Sequence, residues 1–334
     1  MMQRIFRQSR SLFARGMAIN RPLALTVCMM FVILVAALVG LIVDPRVITG
    51  APAWLKPLKF ALSISIYTTT FIWLLTFVSG RARIVRLIGW VTAVGLLVEM
   101  ALIAMQVVRG TTSHFNVSTP FDGAVWSIMG GSIVCIWTAN LILGIVLLRQ
   151  RFAHPAFAWA LRLGVFISLV GMGVAFFMTT PTSAQVAAAK GGSGMPIAGA
   201  HAVGVADGGP GLPILGWSTV GGDLRVPHFI GLHGLQLLPL LGWLLVRYGT
   251  RLRPASRTAL VWIAALGYLG VIGLLTWQAL RGQSVVHPDA RTLIAAGLLL
   301  TIVFGATFIV LLRGPSRPAE HARADESAPA YLTQ

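Results

Sequence analysis

Charged side chains are scarce in this sequence, and acidic ones are the scarcest. Only 10% of the 334 residues are Asp, Glu, Lys or Arg, whereas about a quarter of a typical soluble domain is charged. Together with 56% hydrophobic residues and a mean hydropathy of +0.82, this deficit excludes an ordinary soluble domain.

Cysteine is rare, and several catalytic signatures are missing. Cys28 and Cys135 each lie inside an apolar run, so the sequence offers neither a disulfide framework nor a thiolate metal site. The absence of a His-Glu-x-x-His motif argues against a zinc membrane protease. The last two apolar runs lack the lysine of rhodopsin-like proteins, and intramembrane histidines are too few for a haem-copper oxidase core.

What the sequence does contain is a series of long apolar runs, each able to cross a hydrocarbon layer of roughly 30 Å. They predict an all-α, polytopic membrane bundle of about eight transmembrane helices. The runs cover residues 23–43, 58–80, 87–108, 124–148, 157–178, 228–247, 258–280 and 292–313. The sequence therefore divides into a basic tail (1–22), a transmembrane domain (23–313) and a polar tail (314–334) whose composition predicts disorder.

The distribution of basic residues predicts the orientation. The two tails and the even-numbered connections hold 18 of the 26 Lys and Arg residues, and the other side holds 8. The positive-inside rule then places both termini in the cytoplasm of an inner membrane. This distribution also explains the net charge of +17 without a nucleic-acid partner; the expected partner is the lipid bilayer.

The connection between the fifth and sixth runs, residues 179–227, is far longer than a helix connection needs. Eleven of the 32 residues from 191 to 222 are glycine, yet apolar residues such as Trp217 are interspersed. Because irregular backbone at membrane depth must be covered by protein or water, we expect an extracytoplasmic loop that forms a cap or a re-entrant segment.

Polar residues in the third run point toward one neighbour. Glu99 and Gln106 are seven residues apart and lie on the same helix face. The run continues outward to Arg109 and His114. An acid within the hydrocarbon region marks a site with a partner, and hydrogen bonding to another helix is the structural alternative. For Arg109 the alternative is an interfacial anchor. Asp122 is explained by a helix cap, because Thr119-Pro-Phe-Asp122 matches a capping box.

Two lysines begin the second run, on the side where basic residues are uncommon. Lys56 and Lys59 head a polar stripe that continues with Ser63, Tyr67 and Thr70 at helical spacing. Such lysines indicate an anionic neighbour, namely a lipid phosphate, a cofactor carboxylate or an acidic side chain. The alternative, favoured for Lys56, is snorkelling beside tryptophan.

The sixth run supplies two further histidines. His228 and His233 are five residues apart, so they face different neighbours, whereas His233 and Gln236 share a face. His233 is a candidate haem ligand or proton carrier. Asp223, His228 and His114 form a candidate metal set, although Asp223 also fits a local ion pair with Arg225. The loop histidines His201 and His287 show no recognisable spacing and are set aside, as are His154 and His321 on the cytoplasmic side.

Three segments resemble those of a group of bacterial multi-pass membrane proteins. They are residues 54–60 (WLKPLKF), 109–116 (RGTTSHFN) and 223–236 (DLRVPHFIGLHGLQ). The resemblance carries no activity and no residue roles.

Four functions fit these residues. In the leading hypothesis the protein binds haem or a transition metal in redox chemistry or sensing. His233 ligates the haem, with His114 or His228 as second ligand, and Glu99 and His233 are the catalytic candidates. Lys56, Lys59, Arg109, Gln106 and Gln236 complete the cofactor site.

The alternatives need no haem. One is a transporter or channel that moves a proton or small ion through Glu99, and another is an enzyme acting on a lipid or isoprenoid head group. The last is an accessory subunit that binds no cofactor and uses the polar surface to contact a periplasmic or membrane protein.

Overall fold

The computed structural model describes residues 2–313, with the helix course alone for residues 2–13, so the predicted disordered tail 314–334 lies outside the described residues. This part of the chain is helical apart from its connections and two pairs of two-residue antiparallel strands. The helices are α1 (Met2–Val43), α2 (Leu55–Leu75), α3 (Ala82–Val108), α4 (Pro120–Arg149), α5 (Pro155–Met178), α6 (Ser183–Lys190), α7 (Arg225–Arg247), α8 (Pro254–Leu280) and α9 (Ala290–Leu312). The strands are β1 (Val47–Ile48), β2 (Ala51–Pro52), β3 (Ala202–Val203) and β4 (Gly222–Asp223), paired β1 with β2 and β3 with β4.

Every helix except the short α6 is long and apolar enough to cross a membrane, which gives eight candidate spans within the described residues. A helix suits this environment because it satisfies its backbone hydrogen bonds internally. The all-α bundle of eight membrane-spanning helices is therefore confirmed, and the chain is a multi-pass membrane protein.

Helix boundaries differ from those predicted by apolar runs. Residues 2–22 of the predicted basic tail belong to α1, which kinks at Asn20 (φ −154°, ψ 95°). The Asn20 side chain accepts a hydrogen bond from the Leu23 amide at 3.3 Å, so it caps the membrane-spanning part of α1. Helix α2 ends at Leu75, five residues before the predicted end of the second apolar run at residue 80.

The bundle consists of two halves. Helices α1 to α4, here called the N half, pack mainly against one another, as do α5, α7, α8 and α9, here called the C half. The surface where α2 and α4 face α5 and α7 is here called the seam. Polar contacts across it include Trp137 Nε1 donating to the Leu169 carbonyl at 3.2 Å and Gln236 Nε2 donating to Thr70 Oγ1 at 3.3 Å.

Glycine allows α5 and α7 to approach closely within the C half. A Cβ atom on Gly171 would lie 2.5 Å from the Gly231 carbonyl carbon, which is closer than atoms pack. The two backbones are therefore in direct contact, and this brings the beginning of α7 against the end of α5.

Residues 179–224, here called the cap, lie at the end of the bundle where α5 ends and α7 begins. This end is the loop end, and the opposite one is the termini end. The cap is attached to both halves. The Ala198 amide donates to the Phe115 carbonyl at 2.8 Å, Lys59 Nζ donates to the Leu215 carbonyl at 3.1 Å, and Ser284 Oγ donates to the Ser218 carbonyl at 2.9 Å.

Candidate functional site

The structure brings three predicted residues together at the loop end: Lys56 of α2, Glu99 of α3 and His114 of the α3–α4 connection. His114 Nε2 lies 3.5 Å from Glu99 Oε1, and Lys56 Nζ lies 3.1 Å from His114 Nδ1. The Glu99 side chain is only 2% exposed, and its Oε2 atom has no hydrogen-bond partner among the described residues. We call these three residues the Glu99 cluster.

The geometry assigns proton positions in the Glu99 cluster. A lysine ammonium donates hydrogen bonds and cannot accept them, so a charged Lys56 makes Nδ1 of His114 an acceptor. Burial lowers the pKa of His114 well below its usual value, and the positive charge of Lys56 lowers it further. The imidazole is therefore neutral at neutral pH, and its one proton lies on Nε2, facing Glu99.

Aromatic rings surround His114 and limit the water around it. The ring centroids of Trp126 and Phe60 lie 5.6 Å and 5.8 Å from that of His114. Phe115 lies 6.1 Å away and has a positive φ of 64°, a conformation that is strained for a bulky residue and is found at functional sites. The rings of His114 and Phe115 both contact Trp126 and His201.

The cap adds a histidine and a carboxylate to the site. His201 Nδ1 lies 2.7 Å from Asp207 Oδ2, and its ring centroid is 6.3 Å from that of His114. Burial lowers the pKa of His201, although Asp207 opposes this shift. Burial alone would raise the pKa of Asp207, but hydrogen bonds from His201 and Ala202 outweigh it and lower the value to about 2.

His228 approaches the site from α7. Its Nδ1 atom lies 2.8 Å from the Gly171 carbonyl, which is an acceptor, so Nδ1 carries the proton and Nε2 is left as an acceptor. His228 also contributes to the lowered pKa of His114. The close packing of Gly171 against Gly231 positions this histidine.

Arg109 and Gln106 belong to a separate cluster around Asp122. Arg109 Nη1 and Gln106 Nε2 lie 2.6 Å and 2.9 Å from Asp122 Oδ1, and the Asp122 amide donates to Thr119 Oγ1 at 3.1 Å. The predicted cap of α4 is confirmed, and the predicted common neighbour of Glu99 and Gln106 is wrong because each residue has its own partner. The predicted local ion pair of Asp223 with Arg225 is present at 2.6 Å.

The remaining candidates do not join the Glu99 cluster. His233 is exposed and has no hydrogen bond, ion pair or ring contact with the described residues, whereas Gln236 bonds Thr70 across the seam. In residues 2–313, no three His, Cys, Asp or Glu side chains are arranged to hold a metal ion. The metal set of His114, His228 and Asp223 and the haem site at His233 stay predictions, and this arrangement lends them no support.

Neither His201 nor Asp207 was predicted as a site residue, yet the structure places His201 beside His114 and Asp207 beside His201. Their spacing matches no motif, because the contact depends on how the cap folds. One signal was available: both are polar groups in a segment with very few charges.

Comparison with known protein families, with curated proteins and with solved structures finds no match to this chain. The site is therefore interpreted from its own geometry.

Proposed function

We propose that this protein takes up protons at its loop end and binds them on Glu99, with His114 as the immediate proton donor. One observation carries the proposal. A buried carboxylate faces a histidine with one oxygen, 3.5 Å from Nε2, while the other oxygen lacks a partner among the described residues.

The chemistry requires only proton transfers. Ionisable groups inside a membrane span are costly and mark proton relays and ion pathways. The proton on Nε2 of His114 passes to the Glu99 carboxylate while Nδ1 receives one from the Lys56 ammonium. Lys56 is then reprotonated from water. The starting state returns when Glu99 releases its proton and His114 exchanges its Nδ1 proton for one on Nε2, by a ring flip or through water.

His201 and Asp207 provide the connection to the aqueous phase. Their side chains are 22% and 21% exposed, compared with 2% for Glu99. The 6.3 Å between the rings of His201 and His114 is too long for a direct hydrogen bond and suits one bridging water. Protons would enter by this route.

The proposal also includes the orientation of the chain in the membrane. We place the loop end on the outer side of an inner membrane, because the connections at the termini end carry most of the basic residues. Proton entry would then be from the periplasmic side.

Proton binding fits this geometry better than haem or metal binding does. A metal needs a free nitrogen lone pair on each histidine ligand. In His114 Nδ1 faces Lys56 and Nε2 faces Glu99, so this ring has no free lone pair. A haem absorption band in the purified protein would favour the haem hypothesis over ours.

Proton flux into proteoliposomes that contain a pH-sensitive dye tests the proposal. With an outwardly acidic gradient we expect acidification by the wild type and little by Glu99→Gln, which keeps the shape of the side chain but cannot ionise. Asp289→Asn is the matched control, since Asp289 lies at the same end in a surface pair with Arg281. Equal flux through Glu99→Gln and wild type would refute the role of Glu99.

A further inference from the structure

Several buried polar atoms in the two halves that meet at the seam have no partner. Six side-chain atoms have no hydrogen bond in the described part of the chain: Glu99 Oε2, Ser168 Oγ, Gln236 Oε1, Asn140 Oδ1, Thr68 Oγ1 and Thr92 Oγ1. They come from α2, α3, α4, α5 and α7, so they belong to both halves.

Three of these atoms lie at nearly the same depth, and Asn140 lies closer to the termini end. At a rise of 1.5 Å per residue, Glu99, Ser168 and Gln236 lie about 14, 15 and 17 Å along their helices from the loop end, and Asn140 lies about 30 Å along α4. Two hydrogen bonds fill the interval. Gln236 bonds Thr70 at 3.3 Å, and Asn140 Nδ2 donates to the hydroxyl of Tyr67 at 2.5 Å.

Many hydroxyl groups on the helices bond to their own helix, whereas those of Ser168, Thr68 and Thr92 have no partner in the described structure. Ser65, Thr69 and Thr138 each donate to the carbonyl four residues earlier, at 2.8 to 2.9 Å. Ser168 is fully buried and makes no such bond in the described structure. A bond to the carbonyl four residues earlier would satisfy the Ser168 hydroxyl, but Ser168 does not make it.

Unpartnered polar atoms cost free energy in a low-dielectric interior. Water relieves that cost where a site is polar and several partners converge, and buried waters typically make about three hydrogen bonds. The unpartnered atoms and the Gln236–Thr70 and Asn140–Tyr67 pairs offer water such hydrogen-bond partners.

The polar series ends at a layer of apolar side chains near the termini end. Phe71, Leu74, Leu143, Leu147 and Leu161 are all fully buried and pack in one cluster. We call these five residues the plug. The plug offers water no hydrogen bond, so hydration stops there.

We propose that the seam is a water-filled half-channel that leads from Glu99 to the plug and carries protons toward the termini end. The inference rests on the proposed function for its entry point, but hydration of the seam does not depend on Glu99. Its ligand class is water and the protons that water conducts.

Cysteine labelling measures this hydration directly, because a thiol reacts as thiolate and a thiolate forms in water. In a background of Cys28→Ala and Cys135→Ala, Ser168→Cys places a thiol on the seam. Phe166→Cys is the matched control, since Phe166 lies two residues away on α5 and is exposed at the bundle surface. Both proteins are treated with N-ethylmaleimide in liposomes and followed by intact-protein mass spectrometry.

We expect Ser168→Cys to react at least about tenfold faster than Phe166→Cys. A rate no faster than the control overturns the half-channel. If Ser168→Cys fails to fold, Asn140→Cys and its surface neighbour Thr138→Cys on α4 decide in the same way.

The two proposals fail separately. Labelling of Ser168→Cys with no difference in flux between wild type and Glu99→Gln supports the hydrated seam and refutes the role of Glu99. Glu99-dependent flux without labelling at either seam position supports the proton site and overturns the half-channel.

Discussion

The loop end and the termini end of the bundle treat polar groups in opposite ways. At the loop end Lys56, His114 and Glu99 face one another in the interior, and one carboxylate oxygen lacks a partner among the described residues. At the termini end Arg162 donates to the carbonyls of Leu147 and Gln150, at 3.1 Å and 2.9 Å.

The termini end uses its charges to complete the helices. Arg162 bonds carbonyls at the end of α4, where intrahelical donors run out, and lies 5.2 Å from the Trp159 ring. Arg257 likewise donates to the Leu252 carbonyl at 3.1 Å. These locally satisfied charges stabilise the fold, whereas we propose that the Glu99 cluster at the loop end transfers protons.

Loss of His114 should have the largest effect on proton flux. We expect His114→Ala to reduce proton flux about 100-fold, because a positioned proton donor contributes on the order of 10²–10⁴ in rate. His287→Ala is the control, since His287 is exposed at the same end. Wild-type flux in His114→Ala would show that protons reach Glu99 without it.

The plug provides the next prediction, at the termini end. Leu143→Ala leaves a cavity in a fully buried layer, and we expect the passive proton leak of proteoliposomes to rise about tenfold as water enters. Leu148→Ala removes the same atoms from an exposed position nearby. Equal leak through the two variants would mean that the apolar layer is not a barrier.

Removal of the Lys56 charge should shift the titration of His114. The pKa of His114 is lowered by burial, then by Lys56, with smaller effects of His201 and His228. We expect Lys56→Met to raise this pKa. Quenching of Trp126 by the imidazolium then begins at higher pH. The fluorescence titration is compared with that of Trp126→Phe, which should lack the transition; an unchanged midpoint in Lys56→Met contradicts the assignment.

The smallest effect concerns the cap. The pKa of Asp207 is lowered to about 2 from its usual 3.8, so the stability that its hydrogen bonds contribute is present above about pH 4 and lost as the pH falls toward 2. We expect exchange of the Ala202 amide, bonded to Asp207 Oδ1 at 2.8 Å, to increase about fivefold over that range beyond its intrinsic change.

Asp207→Asn serves as the comparison for amide exchange. Its exchange should already be fast at pH 5 and show no additional acid-dependent increase. If exchange of the Ala202 amide depends on pH in the same way in the wild type and in Asp207→Asn, the hydrogen bonds of Asp207 do not attach the cap.

The spans could be predicted from the sequence because twenty consecutive apolar residues have few alternatives to crossing a bilayer. Lys56, Glu99 and His114 could also be identified, since ionisable residues stand out in apolar surroundings. Their grouping could not be predicted, because His114 lies in a connection whose path depends on Asn116 and Phe115. Helix ends such as Leu75 were misplaced for a related reason: hydropathy continues where the helix stops.

The cap was the least predictable region. His201 meets His114 through hydrogen bonds between distant backbone groups, such as Ala198 to Phe115, and these leave no periodic trace in the sequence. The unpartnered atoms of the seam were hidden for the opposite reason. Ser168 and Asn140 are ordinary residues in a membrane helix, and only the packing of the two halves reveals that they lack partners.

Infrared difference spectroscopy between acidic and alkaline pH tests most directly whether Glu99 binds a proton. We predict that the wild type shows a carboxylic acid C=O band that appears on acidification, and that Glu99→Gln lacks this band while Asp289→Asn retains it. A band of equal intensity in Glu99→Gln would contradict the account.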